Sequence, residues 1–535
     1  MSYKINESIH ALGLSLFDEI GNLQQNVGMK FVLSAIIAGI CFGAGCQFPE
    51  TAMAVTCTVI TALLLVYIAA EDVSPTKRLY IFGLVFSLVA FYWIPQTLQY
   101  FGGFPRWLSY LLFAVYCLLS SLQFVLCAYL LKKLKPTLLG RWQVAFPLAW
   151  LITEMFWPRL FPWNFAHPLI SWTSFSALAE VTGVYPLSFL IFWWASVMLS
   201  VGQKKLSYRD KKVLFPLCLF VIVSLGGHWR SRYFVQLEQS LPLAKIGIVQ
   251  GNLEAVEKND LKLFSANIKT YQDLSTKVLA AGAEILVWPE AVINHWTPVE
   301  AKNVRGYKFD PFPSLQTPLI YGAMAYQRKD SESKDSDYYN SAIGLDAQGN
   351  ILGLYHKRIL MPFGEYMPFA QWLPQLKDLS PQTGDFTAGD KVGVLSLPLE
   401  EDGRSVKAGL LICYEDLIPS LARNSALAGA DVLVNLTNDA WYGHSAASEQ
   451  HHLLAMWRAI ETRRYLLRVT NTGYTGVVNV FGRTVESLPI FTSGIILASI
   501  RQYSLQTFYT LYGNLVSWLI ILILLPISLK KIKER

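Results

Sequence analysis

Apolar residues fall into two patterns along this chain. Long apolar runs fill roughly 30–46, 51–70, 79–99, 107–131, 142–157, 177–201 and 213–227, and another lies near 507–529. About 20 apolar residues make a helix long enough to cross a hydrocarbon core of about 30 Å. The pattern predicts an integral membrane α-helical bundle of about eight spans. The run 142–157 is short and carries Glu154. It reads as a span whose carboxylate faces the bundle interior, or as an interfacial or re-entrant helix.

Residues 228–505 hold only short apolar runs. Strand-like runs lie at 245–251, 284–290, 318–326, 340–349, 406–415, 431–439, 466–482 and 494–500. Those at 284–290, 408–413 and 431–436 are apolar without alternation, as in strands buried on both faces. Helical patterns fall near 257–281, 417–429 and 446–463. Strands separated by helices predict a layered α/β domain. The charged stretch 327–338 predicts a solvated loop. The organisation expected is thus a membrane bundle over 1–227, an α/β domain over 228–505, and a last span with its tail over 506–535.

Composition agrees: 53% of the 535 residues are hydrophobic and only 16% are charged. Soluble domains carry about 25% charged residues, so a single water-soluble globule is excluded, as is disorder. The net charge of +7 is weak evidence for nucleic acid, because membrane proteins collect Lys and Arg in cytoplasmic loops. No Gly-rich phosphate loop or aromatic–basic nucleic-acid pattern occurs.

Loop charge also orients the chain. Lys77 and Arg78 share one short loop. Two spans later come Lys132, Lys133, Lys135 and Arg141, and two further on Lys204, Lys205, Arg209, Lys211 and Lys212. The tail carries Lys530, Lys531, Lys533 and Arg535. This alternation predicts both termini in the cytoplasm and residues 228–505 outside. Residues 1–27 are polar and lack the pattern of a cleavable signal.

Six of the seven cysteines, Cys41, Cys46, Cys57, Cys117, Cys127 and Cys218, lie in membrane runs and read as packing residues. Cys413 stands alone in the α/β domain, either as an inert buried residue or as a nucleophile. Two other reactive groups stand at strand ends, Glu290 in EILVWPE and Lys357 in LYHKR. Each has a plain reading by itself, a helix-start carboxylate or a surface charge. Together they form a working set. A carboxylate can take the thiol proton, and a lysine can stabilise the oxyanion that follows attack on a carbonyl. The backbone N–H of Tyr414 can add a donor. The chemistry expected is covalent acyl transfer through a thioester. His444, His451 and His452 are close in sequence, but adjacent histidines on a helix point apart, so no metal is expected. No cofactor is expected, nor a Cys413–His452 pair.

The strings WPE (288–290), HKR (356–358), GEY (364–366) and CYE (413–415) resemble the nitrilase, or carbon–nitrogen hydrolase, superfamily. With the membrane runs and with IGIVQGN (246–252), TNDAWYG (437–443) and RAIETRRYLLRVTNTGYTG (458–476), nearly the whole chain resembles the apolipoprotein N-acyltransferase family of the bacterial inner membrane. The resemblance implies a nitrilase-like αββα sandwich, outside the membrane on the periplasmic side. It implies Cys413 as nucleophile, Glu290 as general base and Lys357 as stabiliser of the tetrahedral intermediate. Glu365, Glu415, Tyr414 and Trp441 match supporting positions. The implied partners are a phospholipid acyl donor, typically phosphatidylethanolamine, and diacylglyceryl-cysteine apolipoproteins that accept the chain on their N-terminal amine. Two departures stand out: 253–260 (LEAVEKND) lacks the family's frequent aromatic, and the stretch from Glu154 to Phe161-Pro162-Trp163 is shortened. No catalytic role is assigned to Glu154 or Arg159.

A membrane-tethered amidase for small amides and a non-catalytic scaffold are the rival readings. The complete Glu–Lys–Cys set speaks against the scaffold. Eight spans are an excessive tether for a soluble amide. The loop 361–387, with Phe363, Phe369 and Trp372, suits a lipid interface unless those rings pack into the domain core.

Overall fold

The computed structural model describes residues 27–48, 50–72, 74–134, 142–253, 264–329, 335–379, 383–399 and 403–530. The polar N-terminal stretch, Lys135, Arg141, the segment 254–260, the centre of the charged loop and the tail after Lys530 lie outside the described residues.

Helices form where the apolar runs predict them: Val27–Gly45, Ala52–Glu71, Pro75–Ala90 with Ile94–Gly102, Arg106–Leu134, Trp142–Phe156, Tyr185–Gly202, Lys211–Glu238 and Leu515–Lys530. Among the described residues five helices are long and apolar enough to cross a bilayer, and Pro75–Ala90 with Ile94–Tyr100, bent by 49°, makes a sixth if it is one span. Gln143–Phe156 and Leu515–Pro526 are shorter. This is a membrane protein, but helix length alone does not carry the count of eight.

The boundaries differ from the sequence pattern for local reasons. The run 79–99 breaks after Ala90, and Pro95 opens the next helix. The run 177–201 becomes a long helix only at Tyr185, because Gly183 turns the chain at φ 70° after Ala179–Thr182. The run 213–227 continues as helix to Glu238, so the first strand begins at Leu243. Glu154 is fully buried in the bundle, accepting from Trp150 Nε1 at 3.2 Å and Phe165 N at 2.6 Å.

Among the described residues thirteen strands build two sheets. The first holds β1 (Leu243–Gln250), β2 (Ile285–Val287), β3 (Ile293–Pro298), β4 (Leu319–Arg328), β5 (Ser336–Leu345) and β6 (Ile351–His356). The second holds β7 (Val394–Pro398), β8 (Ser405–Ile412), β9 (Val432–Thr437), β10 (Tyr465–Thr470), β11 (Gly476–Val478) and β12 (Thr484–Ser487). The chain then returns to the first sheet as β13 (Gly494–Arg501), antiparallel to β1. β1, β2 and β4 run parallel, as do β8, β9 and β10. β2 and β9 are buried at every position, as their unbroken apolar runs predict. Ile246, Ile248 and Val287 of one sheet meet Leu410, Val434 and Leu467 of the other between the layers.

Helices Phe264–Ala280, Pro419–Leu427 and Ala447–Thr462 cover the outer faces, which gives the helix–sheet–sheet–helix sandwich expected. The pattern missed β3, β6, β7 and β12, and ran two strands together at 466–482, where Thr470 and Gly476 bound a turn between them. The charged stretch 327–338 is not all loop: Gln327 pairs with Asp337, and Arg328 with Ser336, across the β4–β5 hairpin.

Ala447–Thr462 is buried on every side, because the second sheet covers one face and the bundle the other. Polar ties cross this seam. Gln450 accepts from Trp93 Nε1 at 3.0 Å and donates to Ala90 O at 2.8 Å. Trp457 Nε1 donates to His167 O at 3.1 Å. Glu180 takes Arg230 and Arg463, each at 2.8 Å.

Candidate active site

Three strand ends converge at one edge of the sandwich. Glu290 follows β2 and is kept beside β4 by backbone bonds from Gly322 N to Pro289 O (3.0 Å) and from Val292 N to Gly322 O (2.9 Å). The approach requires glycine at 322, where a Cβ would lie 2.5 Å from Glu290 Cα. Lys357 follows β6; its N–H donates to Asn340 O and its carbonyl accepts from Gly389 N, both at 2.8 Å. Cys413 follows β8 and opens the turn Cys413–Leu417 at φ 51°, in the left-handed region that favours glycine. Such strain persists where the surroundings over-determine it, and it gathers at reactive sites.

The side chains meet in a buried cluster. Lys357 is 1% exposed, with Nζ 2.8 Å from Glu365 Oε2 and 3.6 Å from Glu290 Oε1. Asn340 Nδ2 donates to Glu290 Oε1 at 2.7 Å and to Glu365 Oε1 at 2.8 Å. Met361 N donates to Glu365 Oε2 at 2.8 Å. Burial alone would depress the Lys357 ammonium, but Glu365, Cys413 and Glu290 outweigh it and push it up, so the lysine stays charged. Burial, and next Glu290, push the Cys413 thiol up, with Lys357 opposing. At rest the thiol is neutral, beside a fixed cation and a carboxylate, which is the state a general base acts on.

Glu415 joins two of the strands that carry this cluster. Fully buried, it accepts from Tyr355 Oη at 2.7 Å, Arg358 N at 2.6 Å, Ile359 N at 3.1 Å and Ile412 N at 2.8 Å. It thereby ties the chain on both sides of Lys357 to the strand before Cys413. Tyr414 donates its hydroxyl to Leu160 O of the bundle and sets its ring edge-on to Phe161. Trp441 is half-buried on the turn Ala440–Tyr442, and Tyr442 packs on Trp93 at 5.2 Å. Of the loop aromatics, Phe363 meets Phe104 of the bundle at 6.2 Å. Phe369 and Trp372 stack on each other and remain 64% and 69% exposed, outside the domain core.

The sequence reading missed two things. One is Asn340, the amide that bridges both carboxylates. The other is a charge cluster behind Cys413, made of Asp416, Asp439, His451 and Arg468. An arginine inside the apolar string YLLRVT of β10 was the available signal, because a buried charge demands partners. His452 bonds Thr484 Oγ1, and His444 stacks on Phe491. Among the described residues no three His, Cys, Asp or Glu side chains could hold a metal ion.

A sandwich with a Glu–Lys–Cys edge defines a carbon–nitrogen hydrolase, and a family model of that description matches residues 191–509. A second, for the apolipoprotein N-acyltransferase N-terminal domain, matches residues 38–197. The protein named apolipoprotein N-acyltransferase in Bdellovibrio bacteriovorus is 30% identical over 523 residues, covering 92% of this chain and 92% of its own. Its namesake in Geobacter metallireducens is 29% identical over 503 residues, 91% of this chain and 92% of that one. The namesake in Methylococcus capsulatus is 28% identical over 506 residues, with 91% and 93% covered. The chain therefore belongs to the apolipoprotein N-acyltransferase family and is an enzyme.

Proposed function

We propose that this enzyme moves an acyl chain from a phospholipid, through a thioester on Cys413, to the N-terminal amine of a diacylglyceryl-cysteine apolipoprotein. Glu290 takes the thiol proton as sulfur attacks the ester carbonyl. The oxyanion forms beside Lys357 Nζ and the Tyr414 N–H. Collapse expels the lysophospholipid alkoxide, which takes the proton back from Glu290. The acceptor amine then attacks the thioester and loses a proton to Glu290, which passes that proton to the departing sulfur, so that Cys413 leaves as thiol and Glu290 is again a carboxylate. Glu365 and Asn340 hold Lys357 and Glu290 in place, Glu415 fixes both strands, and Tyr414 and Trp441 line the side toward the bundle. Phosphatidylethanolamine is the donor expected.

The observation that carries this reading is the bond from Tyr414 to Leu160. The residue next to the nucleophile is tied to the membrane bundle, which supports a donor drawn from the surrounding lipid. The exposed Phe369 and Trp372 beside Glu365 support the same side as lipid-facing. A soluble amide would need neither.

The topology proposed with it has eight spans in the bacterial inner membrane, both ends in the cytoplasm, residues 1–227 and 506–535 as membrane parts, and 228–505 in the periplasm. The spacing of the basic loops supports this. Phospholipid with a labelled acyl chain tests the chemistry. Label should appear on Cys413, be released by hydroxylamine, be absent in Cys413→Ser, and move to a diacylglyceryl-cysteine peptide only when its amine is free. Absence of label, together with hydrolysis of small amides, would replace this reading with the amidase.

A further inference from the structure

The charge cluster behind the nucleophile takes no part in the steps above, yet it touches the backbone that carries Cys413. His451 places Nε2 2.8 Å from Asp416 Oδ1 and Nδ1 3.1 Å from Asp439 Oδ1. Arg468 Nε lies 2.9 Å from Asp416 Oδ2, and its Nη2 lies 3.7 Å from Asp439 Oδ2. All four side chains are buried. Asn435 completes the link, donating Nδ2 to Asp416 Oδ2 and, at 3.3 Å, to the carbonyl of Cys413.

We propose that His451 is a positioning residue for acyl transfer: its ring clamps the turn that bears Cys413 to the turn that bears Trp441. Asp416 belongs to the turn Cys413–Leu417, and Asp439 precedes the turn Ala440–Tyr442. One ring therefore holds both turns, and with them the left-handed backbone of Cys413. This inference rests on the acyl-transfer reading of Cys413.

A ring that donates to both carboxylates is a charged ring. A neutral imidazole donates through one nitrogen only, and here both nitrogens face carboxylate oxygens. The cluster then balances two cations against two carboxylates. Desolvation offsets much of the attraction in such a cluster, so its main effect is on geometry. The groups facing His451 are Asp416, Asp439, Arg468, His452 and Glu449 on its own helix, the Tyr442 ring at 6.2 Å, and Cys413 beyond them. Burial opposes the charge on His451, but Asp416 and Asp439 outweigh burial and Arg468 and hold its pKa at about 9. That value lies above the ordinary 6.5, so the clamp is complete below about 6.5 and is lost as pH rises through about 9.

The test uses the purified full-length enzyme in mixed micelles with a long-chain p-nitrophenyl ester, a donor with no titratable group. The burst of Cys413 acylation is followed against pH, with Cys413→Ala as the blank. The wild-type rate should fall along a basic limb centred near 9. His451→Gln carries both its N–H groups on one nitrogen and cannot serve two carboxylates. Its rate at neutral pH should fall by about 10²-fold, the scale of a misplacement near 1 Å, and its basic limb should vanish. If that variant does not fold, Asp439→Asn decides: one carboxylate fewer should move the limb to lower pH. A His451→Gln enzyme with the wild-type rate and limb overturns the proposal, as does an unmoved limb in Asp439→Asn or a wild-type rate flat through pH 9. No burst at all in the wild type would refute acyl transfer itself and this inference with it. A normal burst indifferent to His451 refutes this inference alone.

Discussion

Alanine at Gly322 is predicted to disable the enzyme without touching a reactive group. The new Cβ would lie 2.4 Å from Ala291 N, 2.5 Å from Glu290 Cα and 2.6 Å from Pro289 O, whereas ordinary contact begins at 3.4 Å. The shortfall at the nearest atom, 3.4 − 2.4 Å, is 1.0 Å. All three atoms are backbone, so no side chain can rotate away, and Ala291 already sits at φ 51°. The Glu290 segment must therefore move by about that distance. Such a shift breaks the 2.7 Å bond from Asn340 to Glu290 and widens the 3.6 Å gap to Lys357. A hydrogen bond to a charged group contributes about 1.5–3 kcal/mol, and a 1 Å misplacement costs about 10²-fold in rate. The two agree, since tenfold in rate is about 1.4 kcal/mol. The assay is single-turnover acylation of Cys413 by labelled phospholipid, with thermal unfolding measured in parallel. Gly226→Ala is the control, because its Cβ would meet nothing within 4 Å, and it should acylate at the wild-type rate. A Gly322→Ala enzyme matching the wild type in both rate and melting would refute the argument that backbone fit places Glu290.

Lys357→Met should slow thioester formation by about 10²-fold or more, the scale of losing an oxyanion donor; a wild-type rate would remove Lys357 from the mechanism. Glu415→Gln sets an NH₂ group against two of the four donors, whichever way the amide turns, and should cost about 1–3 kcal/mol for each bond left unmade. A lowered melting temperature with lost acylation is the expected result, and an unchanged melt would contradict the tie between the two strands. A reporter active only outside the cytoplasm should be active when inserted after Arg230 and silent when fused after Arg535. The reverse pattern would overturn the proposed orientation.

Hydropathy located the long helices of the bundle, because a helix surrounded by apolar partners must be apolar over most of its length. It could not locate the break after Ala90, since an apolar run looks the same whether straight or bent. The central strands β2, β8 and β9 were legible because burial on both faces leaves an unbroken apolar signature. Edge strands such as β12, mostly exposed and polar, carry no such mark. Glu290, Lys357 and Cys413 could be found because, although each has a plain reading alone, a carboxylate, a lysine and a lone thiol at three strand ends form one working set. Asn340 could not, because an amide is ordinary until two carboxylates are seen on either side of it. His451 was visible but read only against metal binding; its two partners, Asp416 and Asp439, come from separate turns, and only the folded chain brings them together.

The bond from Gln450 to the Ala90 carbonyl links residues 360 positions apart, and that separation is also a delay. At about 5–20 residues per second, synthesis takes roughly 20–70 s to cover it. Through that interval the broken helix exists with its last acceptor unserved by the chain, and water or a transient companion must stand in. The chain thus caps this helix end only once Gln450 has been made and its helix has packed against the bundle.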